Sequence, residues 1–83
     1  MNDTARFEED TLIWDLGVDN ATVKARIIRP IQEGHDFDMV LTHTGKGIYE
    51  ATLDLPFKGL WEAKLSSQWN NKTYKTTYQF IVK

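Results

Sequence analysis

The last third of the chain constrains the fold most. From Gly59 onward, apolar and aromatic residues fall on alternate positions: Trp61, Ala63 and Leu65, then, beyond an Asn70-Asn71 pair, Tyr74, Tyr78 and Phe80. Period two is the repeat of a β-strand, whose side chains alternate between faces, and it does not line one stripe of a helix. Asn tolerates positive φ, so Asn70-Asn71 suits the type I′ turn of a two-residue hairpin. Such a loop pairs Trp69 with Lys72, and hence Trp61 with Phe80, Ala63 with Tyr78 and Ser67 with Tyr74, all on one face. A three-residue loop would shift the parity and divide the apolar set between faces. The spacing predicts the two-residue turn.

The same period recurs upstream. Over 48–56, Tyr49, Ala51 and Leu53 alternate with Glu50, Thr52 and Asp54, and Pro56, which has no N–H for a ladder, ends the run. Lys58-Gly59 turns the chain into the final hairpin. Over 22–28, Val23, Ala25 and Ile27 point inward and Lys24 and Arg26 outward, with Pro30 closing the segment. Residues 33–36 read as loop. Residues 37–43 read as one strand, with Met39, Leu41 and His43 on a shared face, and 44–47 as a tight turn. Residues 11–14 suit a short edge strand and 17–20 a hairpin-type turn. Residues 1–10, polar and acidic, read as disordered or as a further edge strand. With 83 residues there is room for one core only. The expected fold is all-β: a single immunoglobulin-like antiparallel β-sandwich of six or seven strands over residues 1–83, centred on Tyr49, Leu53, Trp61, Leu65, Tyr78 and Phe80.

Composition narrows the chemistry. The absence of Cys removes thiolate metal sites, disulfides and cysteine nucleophiles together. Ten Lys plus Arg stand against twelve Asp plus Glu, which leaves no cationic excess for a nucleic-acid backbone. Glu50, Asp54 and Glu62 fall on the solvent side of their strands, and no Ser sits in a Gly-x-Ser-x-Gly setting, so no enzyme is expected. No apolar run approaches the ~18 residues that cross a bilayer. His35, Met39 and His43, spaced four apart, are borderline-to-soft donors and form a candidate copper site. Trp69, Asn70, Asn71 and Lys72 form a candidate partner-binding tip, and Trp69 with Trp14 is the only material for a carbohydrate platform. Acidic residues gather in the first quarter (Asp3, Glu8, Glu9, Asp10, Asp15, Asp19) and lysines toward the end (Lys58, Lys64, Lys72, Lys75, Lys83). Such an asymmetry would orient a domain against a charged surface, though more often it serves solubility. Three Asn-x-Thr triplets, at Asn2, Asn20 and Asn71, read as turn chemistry without a glycan.

Arg29-Pro30, the run Gly47-Ile48-Tyr49-Glu50-Ala51-Thr52-Leu53-Asp54-Leu55-Pro56 and the run Gly59-Leu60-Trp61-Glu62-Ala63-Lys64-Leu65 resemble the C-terminal domain of the FixH family. The resemblance covers residues 21–83. It implies a non-catalytic module on the periplasmic or extracytoplasmic side, anchored by a membrane helix outside this sequence; a chain complete as given would be cytoplasmic. It further implies a link to cytochrome cbb oxidase assembly through docking onto a membrane protein complex or a copper-transporting ATPase. Direct copper carriage and a generic carbohydrate- or protein-binding module are the alternatives.

Overall fold

A computed structural model describes residues 4–30, 34, 36–55 and 57–83. Among them lie eight strands and no helix: β1 (Thr4–Glu8), β2 (Thr11–Asp15), β3 (Thr22–Ile28), β4 (Phe37–Val40), β5 (Thr42–Gly45), β6 (Ile48–Thr52), β7 (Gly59–Trp69) and β8 (Lys72–Val82). They form two antiparallel four-stranded sheets, ordered β1-β2-β6-β5 and β4-β3-β7-β8. In chain order this is the A-B-E-D sheet of an immunoglobulin-type sandwich facing C-F-G, with one extra strand beside C.

The C-terminal hairpin forms in the expected register. Trp69 pairs with Lys72, Trp61 with Phe80, Ala63 with Tyr78 and Ser67 with Tyr74. Asn70 and Asn71 both have left-handed backbones, at φ 53° and 61°, as a type I′ turn requires. β1 and β2 are joined the same way by Glu9 and Asp10, at φ 49° and 64°.

Between the sheets lie Leu12, Trp14, Leu16, Val23, Ala25, Ile27, Leu41, Tyr49, Leu53, Trp61, Ala63, Leu65 and Phe80, all buried. Five of the six residues expected at the centre are among them. Tyr78 is half-buried and packs on the cluster from its rim. Along one side the sheets close through Phe7 of β1 stacked on Phe80 of β8, with ring centroids 4.5 Å apart.

Three expectations are corrected. β2 is an interior strand, flanked by β1 and β6, because Leu12 and Trp14 are fully buried and the acidic N-terminal segment supplies the edge. Residues 17–20 make no hairpin: they carry the chain from β2 in one sheet to β3 in the other. Residues 37–43 are not one strand, for the chain switches sheets at Leu41. Before it, β4 pairs with β3; after it, β5 pairs with β6; Leu41 itself is buried and donates its N–H to the Val23 carbonyl at 3.0 Å. The added edge strand and this division raise the count to eight. The strand expected to run to Pro56 ends at Thr52, where its pairing with Thr11 stops; Pro56 itself and Glu33 lie outside the described residues.

Candidate functional site

The partner-binding tip expected at Trp69–Lys72 projects from the end of the β7–β8 hairpin. Trp69, Asn70, Asn71 and Lys72 are all exposed, and Trp69 shows 38% of its surface to solvent. Tyr74, two pairs back from the turn and opposite Ser67, is equally exposed, while its ring lies 6.4 Å from that of buried Trp14. A broad apolar ring at a rigid two-residue turn provides contact area with little side-chain entropy to lose.

Of the candidate copper donors, His35 lies outside the described residues. Met39 and His43 are parted by the sheet switch: Met39 on β4 pairs with Ala25, whereas His43 on β5 pairs with Tyr49. The shared strand face expected for them is therefore not formed. His43 is engaged instead by Asp19, with Nε2 and Oδ1 3.0 Å apart, and its ring stacks on that of Tyr49 with centroids 4.9 Å apart. Among the described residues no group of three His, Asp or Glu side chains gathers to hold a metal ion.

The contacts of His43 belong to a latch that reasoning from sequence missed. Tyr49 Oη donates to the Val18 carbonyl at 2.8 Å and accepts the Ala21 N–H at 2.9 Å. Asp19 Oδ1 also accepts the Gly47 N–H at 2.7 Å, and the Gly47 carbonyl accepts from Leu16 and Gly17. The segment crossing between sheets is thus tied to the β5–β6 turn from both directions. Gly47 has φ 74°, and a Cβ there would lie 2.6 Å from the Val18 nitrogen, so only glycine fits.

A second cluster surrounds Arg29. Its guanidinium lies over the Phe57 ring, 4.5 Å from the centroid, and 5.8 Å from the centroid of Trp61. Arg29 Nη2 donates to the Lys58 carbonyl at 3.3 Å, and Trp61 Nε1 donates to the Phe57 carbonyl at 2.9 Å. A planar, weakly hydrated cation stacked on rings is favoured where one strand end must be joined to a neighbouring loop.

These two clusters occupy the positions by which the sequence resembles a known family: Arg29 in one, Gly47 and Tyr49 in the other, Gly59 and Trp61 beside the first. The FixH family model matches residues 4–80. The chain belongs to the FixH family. No curated protein and no solved structure matches it. In this FixH domain the motif residues have structural tasks: Tyr49 and Gly47 hold the sheet-to-sheet crossing, and Arg29 and Trp61 hold the loop before β7. Tyr49 was visible in the sequence as a core ring, but its hydroxyl partners, Val18 and Ala21, are 31 and 28 residues distant and leave no periodic trace.

Proposed function

We propose that this FixH domain is a non-catalytic extracytoplasmic module that docks onto a membrane complex during cytochrome cbb oxidase assembly and its copper supply. The observation that carries the reading is the family match over residues 4–80, on a sandwich whose interior is filled by Trp14, Tyr49 and Trp61. A filled interior suits recognition from the surface, where function sits on loops and edges held by a rigid scaffold. The β7–β8 tip around Trp69 offers one contact. The outer strands β4 and β8, whose free backbone groups can accept an added strand, offer others. The partner on this reading is a copper-transporting ATPase or a membrane assembly that includes it, and a membrane helix outside this sequence holds the module beside it. No helix among the described residues is long and apolar enough to cross a membrane.

The test is deletion of the segment encoding residues 4–82 from the chromosomal gene of the source organism, followed by assay of mature cbb oxidase in its membranes. The expected result is loss of the assembled enzyme with its structural genes still expressed. Normal maturation overturns the proposal.

A further inference from the structure

Strand order gathers charges that the sequence keeps apart. On the outer face of the β4-β3-β7-β8 sheet, side chains form rows across the strands: Lys24 beside Ser66 beside Lys75, and next to it Arg26 beside Lys64 beside Thr77. Thr22, Gln68 and Thr73 form the row toward the hairpin tip, and Ile28, Glu62 and Gln79 the row at the other end, where Glu62 Oε1 accepts from Gln79 Nε2 at 3.2 Å. Arg26 is answered by Asp38 at 3.0 Å and Asp36 at 3.6 Å. Lys24, Lys64 and Lys75 make no ion pair with any described residue. The opposite face, on the β1-β2-β6-β5 sheet, carries Glu8, Asp15 and Glu50 against Arg6, which is bridged to Glu8 at 3.4 Å. The chain is acidic overall, yet the sandwich is electrically two-sided.

We propose that the outer face of the β4-β3-β7-β8 sheet, centred on Ser66, binds an extended acidic segment of a partner protein through Lys24, Lys64 and Lys75. Two inter-strand spacings separate Lys24 from Lys75, roughly 10 Å between backbones. An extended chain presents alternate side chains on one side roughly 7 Å apart, so two or three carboxylates reach all three ammonium groups. The surface there is hollowed. A depression of about 480 Å³ over β4, β3 and β7 is lined by Lys24, Arg26, Val40, Lys64 and Ser66 together with Asp38, whose carboxylate is already paired with Arg26, and one of about 420 Å³ over β7 and β8 shares Lys64 and Ser66 and adds Lys75 and Thr77. Hydroxyl groups between the lysines suit carboxylate acceptors, since each neutral donor satisfies an oxygen the ammonium groups leave open. By strand alternation no aromatic residue lies on this face, which removes the stacking platform that single-stranded nucleic acid needs. The hollow and the hydroxyls favour a peptide over a flat bilayer.

The inference rests on the docking reading above, and its test is a binding measurement that does not pass through oxidase maturation, so the two fail separately. The intact chain is titrated with a fluorescein-labelled peptide of about a dozen residues alternating Glu and Ser, an extended ligand by the same spacing. Binding is read by anisotropy and mapped by amide chemical shifts. The expected result is saturable binding with shifts confined to β3, β7 and β8 around Ser66. Affinity is expected to fall about tenfold or more between low and roughly 0.3 M salt, as screening shortens the reach of exposed charges. The triple change Lys24→Glu, Lys64→Glu and Lys75→Glu is expected to abolish binding with an unchanged thermal melt. If that variant fails to fold, the triple change to Gln serves instead, with at least about tenfold weaker binding expected. Overturning results are peptide affinity unchanged by either variant, shifts that map elsewhere, or tighter binding to phosphatidylglycerol vesicles than to the peptide. Salt-sensitive self-association of the chain through its two oppositely charged faces would also overturn it.

Discussion

Tyr49→Phe isolates the crossing latch from the core around it. The substitution removes one oxygen and keeps the ring, which is 1% exposed, so it opens no large cavity. That oxygen serves two backbone groups, the Val18 carbonyl at 2.8 Å and the Ala21 N–H at 2.9 Å, both part-buried. A buried polar group left without its partner costs about 1–3 kcal/mol, and the partial exposure here puts each loss near the lower end. The pair should therefore destabilise the domain by about 2–3 kcal/mol. For a domain of roughly 60–100 residues each kcal/mol moves Tm by about 4–8 °C, so Tm is expected to fall by about 10–20 °C. Circular dichroism at a strand wavelength gives the melt, and amide hydrogen exchange gives the local effect: the Ala21 N–H should be protected in the parent and exchange freely in the variant. A fall in Tm below about 3 °C with Ala21 still protected would refute the assignment of the hydroxyl as the crossing's tie.

Two further changes probe the turns. Gly47→Ala forces a methyl group to within 2.6–2.7 Å of the Gly17 and Val18 backbone at a positive φ. It is expected to cost about 2–4 kcal/mol, read as a lower urea midpoint, and an unchanged midpoint would mean that the β5–β6 turn does not abut the crossing. Asn71→Gly works in the opposite direction. It places the favoured Asn-Gly pair in a turn whose φ values are already left-handed and should raise stability by about 0.5 kcal/mol, whereas a loss would argue against the two-residue turn.

What was legible in the sequence was local alternation ended by a turn of defined chemistry. The β7–β8 register could be worked out from Asn70-Asn71 and the positions of Trp61 and Phe80, because period two and a two-residue loop leave one pairing that keeps the rings together. Sheet membership was not legible. Met39, Leu41 and His43 alternate without a break, and nothing in that pattern marks Leu41 as the residue where pairing passes from β3 to β6. Residues 17–20 carry the same Gly, Asp and Asn signals whether they turn back into the same sheet or cross to the other. β1 was obscured because only Ala5 and Phe7 face the core, between charges that face water. The trend in charge along the chain took in Lys64 and Lys75 but not Lys24, and the three become neighbours only once β3, β7 and β8 are laid side by side.

The passage of one ribbon through both layers at Leu41 has a mechanical consequence. Residues 37–45 are threaded into the ladder of each sheet within a few positions, so shearing one layer over the other loads that short stretch before it strains either interior. The stitch lies at the rim, on the edge opposite the Phe7–Phe80 stack. Cutting the backbone between Val40 and Thr42 would leave every strand pair intact and pass the load to the two longer connections, β2 to β3 and β6 to β7.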